Sequence, residues 1–119
     1  MSILEELKKA ILVFVQSSVV SKVEIIVMGC KSFKIGKTGQ TKEERFAGYK
    51  DEYEEYSVVY EGSRKMVSDM ESYLIKYYKD NPKCDNERGP KASNKDDMKE
   101  DSTKFHVYVV WNHADNNDK

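Results

Sequence analysis

Apolar residues near the start of the chain recur with helical spacing: Ile3, Leu4, Leu7, Ile11, Leu12 and the pair Phe14-Val15. Ser2 stands before them as an N-cap, and Glu5 follows three residues later as its capping-box partner. The spacing predicts a helix from Ile3 to about Gln16. From Val23 to Met28 the pattern becomes a β-branched apolar run, which predicts a strand. Gly29 to Ser32 reads as a turn and Phe33-Lys34-Ile35 as a second short strand ending at Gly36, so the two strands form a hairpin. Thr41 and Glu44 make a second capping box, opening a helix over about Lys42 to Lys50. Tyr56 to Tyr60 predicts a third strand. Gly62 breaks it, and Ser63 caps a helix from about Arg64 to Lys79 that stops before Asn81-Pro82. Near the end, Phe105, Val107, Val109 and Trp111 alternate with His106, Tyr108 and Val110, a final strand placed at a sheet edge.

The order helix, strand, strand, helix, strand, helix, strand predicts a mixed α/β (α+β) domain around a small, largely antiparallel sheet with flanking helices. At 119 residues the chain fits one domain, residues 1–119. Residues 79–103 are dense in charge and contain Pro82, Gly89 and Pro90. They read as a loop or mobile insertion. Residues 104–111 add a strand, and 112–119 form a polar tail.

Composition narrows the function. Charged residues make up 34% and the formal net charge is -1, which excludes a polybasic or histone-like protein. The near-neutral total hides a local asymmetry. Residues 30–50 hold Lys31, Lys34, Lys37, Lys42, Arg45 and Lys50 against only Glu43 and Glu44, a basic patch of the kind that contacts phosphates. Cys30 and Cys84 lack the spacing of a zinc site and read as reduced thiols. No apolar run is long enough to suggest a spanning helix, and the expected setting is soluble and intracellular, with no membrane partner.

Gly36-Lys37-Thr38 invites a phosphate-loop reading, but Lys31 stands where that motif needs its first glycine. His106 and His113 are seven residues apart and form no metal or nucleophile arrangement. Glu71 is more informative. It lies between Val67 and Ile75 on an apolar stripe of the third helix, so it needs a cation, either a basic side chain or a metal ion. Arg45 and Tyr49 are four residues apart and share a helix face.

These pieces, in this order, resemble the GIY-YIG endonuclease superfamily: a hairpin with two short motifs, a helix with an arginine, a strand, and a helix with a glutamate. Phe33-Lys34-Ile35-Gly36-Lys37-Thr38 is similar to the second motif of the viral and phage branch, aromatic-Lys-Ile-Gly-Lys/Arg-Thr. Arg45 matches the family arginine, and Tyr49 stands where members carry His or Tyr. Glu71 matches the metal-binding glutamate and Asn86 the later asparagine. The first motif falls within Val23 to Val27, where Glu24 is the nearest counterpart of its tyrosine; that of the second is replaced by Lys34 or displaced to Phe33. The resemblance covers residues 22–86.

The resemblance implies hydrolysis of a phosphodiester in nucleic acid, most readily DNA, with one Mg²⁺ or Mn²⁺. Glu71 would hold the metal, Arg45 would stabilise the charge of the transition state, and Tyr49 would accept the proton of the attacking water, directly or through Lys34. Lys31, Gly36, Lys37, Lys42 and Asn86 would contact the substrate. Two other classes use the same residues: a domain that binds nucleic acid without cutting it, and a protein-interaction domain that retains only the fold.

Overall fold

A computed structural model describes residues 2–86 and 104–114. Its elements run α1 (Ile3–Gly29), β1 (Cys30–Thr38), α2 (Lys42–Ala47), β2 (Glu55–Gly62), α3 (Arg64–Tyr78) and β3 (Phe105–His113). The fold class is that expected: three helices and one antiparallel sheet. The sheet order is β1-β3-β2, so the last strand is the central one. It pairs with β1 (Gly36 opposite Tyr108) and with β2 (Val58 opposite Tyr108). This corrects its placement at an edge. Every residue of β3 from Phe105 to Val110 is buried, apolar on both faces except His106, as a strand covered on both sides must be.

The predicted hairpin is absent, because residues 23–29 are helical. The Ser2 capping box nucleates α1, with Glu5 N donating to Ser2 Oγ at 3.1 Å, and extending an existing helix costs far less than starting one. Val19, Val23 and Val27 then fall on one stripe four residues apart and seat in the core. That packing outweighs the modest β-preference of valine and isoleucine. The helix end is held by Lys83 Nζ, which donates to the Val27 carbonyl at 2.7 Å. By length and composition α1 could cross a membrane, with mean hydropathy 1.9 in its most apolar 18-residue window. Gln16, Ser17 and Ser18 interrupt the run and hide this in the sequence.

The two faces of the sheet are covered differently. On one, α1 and α3 pack against Phe33, Ile35, Val59, Val107 and Val109. Tyr78 of α3 donates to Glu24 of α1 at 2.7 Å, which ties the two helices together. On the other lies a cluster of tyrosines, Tyr49, Tyr53, Tyr56 and Tyr108, with Val110 and Phe46. The outer edge of β1 is closed by residues 83–86. Phe33 N donates to Lys83 O at 2.9 Å and Asp85 N to Phe33 O at 2.8 Å. Asn86 then takes both backbone groups of Ile35, accepting from its N–H at 2.9 Å and donating to its carbonyl at 2.7 Å. The rest of the predicted insertion, 87–103, and the tail from 115 lie outside the described residues. Asn112 and His113 belong to β3.

Candidate functional site

Thr41 caps α2, accepting from Glu44 N at 3.1 Å, and this short helix stands Arg45 over the tyrosine face. Arg45 Nη2 donates to Tyr49 Oη at 3.0 Å and its Nε to Tyr108 Oη at 3.1 Å. The two hydroxyls lie 2.9 Å apart. The guanidinium also rides over the Tyr49 ring, 4.6 Å from its centroid, and Lys34 Nζ lies 5.7 Å from the same centroid. The i, i+4 spacing of Arg45 and Tyr49 is therefore a direct contact. Tyr108 was not among the predicted site residues.

Gly36 explains how the cluster closes. It faces Tyr108 across the β1–β3 ladder, and a Cβ at this position would collide with the Tyr108 ring and hydroxyl. Only glycine lets the tyrosine lie across the strand and reach Arg45. Behind it, Tyr56 stacks on Tyr108 with ring centroids 4.7 Å apart, and its hydroxyl meets His106 Nε2 at 2.6 Å. Burial pushes the Tyr108 phenol well above its ordinary range. Tyr49 adds to that shift, and Arg45 opposes it only in part. Burial also lowers the His106 pKa, against a smaller opposing pull from Glu61.

Glu71 belongs to a second group, on the helical side of the sheet. Its Oε1 lies 3.8 Å from Lys37 Nζ, which also donates to Ser68 Oγ at 3.3 Å. The cation that the sequence required is thus Lys37. Burial raises the Glu71 pKa, and Lys37 compensates only partly. Among the described residues no three His, Cys, Asp or Glu side chains gather as a metal cage. A single carboxylate would hold Mg²⁺ only with ligands from outside the protein completing its shell.

Arg45 and Tyr49 thus come together with Tyr108, Gly36 and Lys34, while Glu71 joins Lys37. Gly36 and Lys37 are consecutive in β1 and present these two groups to opposite faces. Lys31 and Lys42 are exposed. Asn86 uses its amide on Ile35. Two signals could have identified Tyr108: a last strand apolar on both faces is central, and its period places Tyr108 and His106 on one face. Comparison of the chain with protein-family models, with curated protein sequences and with solved structures finds no match.

Proposed function

We propose that the chain is a metal-dependent endonuclease of GIY-YIG type acting on nucleic acid, with its two motif strands supplied in permuted order. The observation that carries the reading is the contact of Arg45, Tyr49 and Tyr108 over Gly36, all within 3.1 Å of one another. In the resemblance, the strand beside the Phe33–Thr38 motif carries a tyrosine. Here the strand beside it is β3, and its tyrosine is Tyr108, so the motif assigned to residues 23–27 moves to the other end of the chain.

Arg45 would bind the non-bridging oxygens and stabilise the added charge of the transition state. Tyr108, buried and with its acidity suppressed, would hold the Arg45 guanidinium and the Tyr49 hydroxyl in place, leaving Tyr49 to take the proton. By the resemblance Glu71 would hold Mg²⁺ or Mn²⁺ to neutralise the phosphate charge. It is paired with Lys37 on the face opposite Arg45 and Tyr49, however, so the metal role is the part of the reading with least support from the geometry. Lys31 and Lys42 would contact the backbone of the nucleic acid. Asn86 would position the motif strand through Ile35. A soluble, intracellular setting accords with Cys30 and Cys84 both being free thiols.

The Glu71–Lys37 pair favours a second reading, binding without cleavage, because it engages the carboxylate with a lysine. Nicking of supercoiled plasmid with Mg²⁺ or Mn²⁺ separates the two. The nuclease reading expects cleavage by the wild type, none by Glu71→Gln, and a loss of roughly 10²-fold or more for Arg45→Ala. A wild-type protein that binds DNA in EDTA but never nicks it supports the binder.

A further inference from the structure

Independently of the site, α1 presents a second pattern on the side away from its core stripe. Positions 4, 7, 11, 14, 18, 21, 25 and 28 alternate steps of three and four residues, the a/d spacing of a coiled coil, over four heptads. At 100° per residue this seam lies opposite Val19, Val23 and Val27. All eight residues are exposed, and the six apolar ones, Leu4, Leu7, Ile11, Phe14, Ile25 and Met28, are between 54% and 79% exposed. Six large apolar side chains in one row are not a solvated surface.

The occupant is not another part of the given chain. Residues 87–103 and 115–119 contain Met98 as their only large apolar side chain. Nor does a bilayer suit it. Val19, Val23 and Val27 are seated in the protein core and Val15 packs against it, so only residues 3–14 stand clear for insertion, short of the ~20 that a span needs. Lys8, Lys9 and Lys22 are balanced by Glu5, Glu6 and Glu24, which removes the basic face by which interfacial helices are drawn to anionic lipid.

The order of residues along the seam does suit a second copy of itself. Turned antiparallel about residue 16, Leu4 meets Met28, Leu7 meets Ile25, Ile11 meets Ser21 and Phe14 meets Ser18. At the centre each large side chain faces a small one, and an a position always faces a d. The arrangement is isologous, as a two-fold dimer requires. At ordinary side-chain areas the seam offers roughly 700 Å² of apolar surface per chain, close to the ~800 Å² per partner of a standard stable interface. From these observations we infer that the protein is a homodimer joined by an antiparallel α1–α1 coiled coil along the Leu4–Met28 seam.

Sedimentation equilibrium of the full chain at tens of micromolar should give twice the 13.8 kDa chain mass. Ile11→Lys with Phe14→Lys should give a monomer, with self-association weakened ~100-fold or more. Circular dichroism should show the fold retained, since both side chains are exposed in the single chain. Leu12→Lys with Val13→Lys, exposed but off the seam, should remain dimeric. Phe14→Cys combined with Ser18→Cys should form an oxidised covalent dimer, and Ser18→Cys alone should not. A wild-type monomer overturns the proposal, as does a dimer indifferent to the seam lysines. Efficient linking through Ser18→Cys alone indicates a parallel pair and overturns the antiparallel arrangement. If the wild type pellets with phosphatidylcholine vesicles and the Leu12/Val13 lysines abolish this, lipid is the occupant.

Discussion

Tyr108→Phe removes one oxygen from the centre of the molecule. That oxygen accepts from Arg45 Nε at 3.1 Å and shares a hydrogen with Tyr49 Oη at 2.9 Å. The ring itself, stacked on Tyr56, is unchanged, so no cavity opens. A hydrogen bond to a charged donor is worth about 1.5–3 kcal/mol and a neutral one about 0.5–1.5. Arg45 is only half-buried and recovers part of the first from water, while Tyr49 is buried and recovers little. The net loss should be about 1.5–3 kcal/mol. For a domain of this size that corresponds to a fall in Tm of roughly 5–12 °C. Paired with Tyr49→Phe in a double-mutant cycle, the two changes should be non-additive by at least ~0.5 kcal/mol, because they remove the same bond. Urea melts of the four proteins measure both quantities. Additive effects, or a Tyr108→Phe protein as stable as wild type, would refute the account of the cluster and weaken the case that Tyr108 belongs to a site.

Gly36→Ala should cost about 1–3 kcal/mol and displace the Tyr108 ring, visible as changed near-ultraviolet dichroism. Asn86→Ala should cost about 1–3 kcal/mol and speed amide exchange at Ile35, since it strips two hydrogen bonds from an edge strand. The His106 pKa is depressed in the folded state, so the unfolded chain binds the proton more readily just below the ordinary value of about 6.5. Stability should therefore fall as pH drops from there through the folded pKa, and His106→Gln should flatten that slope in pH-dependent melts. Glu71 has the opposite sign: with its folded pKa raised, lowering the pH toward 4.5 should add stability, an increment absent in Glu71→Gln.

The caps and the charge pattern were readable without coordinates. Thr41 with Glu44 and Ser63 mark the starts of α2 and α3, whereas α2 ends at Ala47 and not at Lys50, so Arg45 reaches Tyr49 from the last turn of the helix to the turn beyond it. The burial problem at Glu71 was also legible, although its answer, Lys37, comes from a strand and no local rule links them. Val23 to Met28 misled because propensity ignores what lies upstream, and α1 was already running when it reached them. On α3 the buried face is Val67, Met70, Leu74 and Tyr78, which leaves Met66 and Tyr77 exposed. Asn86 reads as a substrate ligand until the unpaired edge of β1 is seen beside it. Tyr108 stayed hidden because sheet order is a long-range property: its partner Gly36 lies seventy-two positions earlier.

Placing the last strand at the centre also governs how the molecule comes into being. During synthesis β1 and β2 emerge first, yet they share no ladder and each waits for the same partner. Until residues 105–113 have been made, neither ladder of the sheet can form, and β1 has only residues 83–86 along its outer edge. Closing such distant pairs makes folding slow relative to a hairpin-first order. Throughout that interval the apolar stripe of α1, Val19, Val23 and Val27, lacks the part of its cover that Val107 and Val109 supply. The sheet is therefore completed from its middle, when β3 enters between two strands already made.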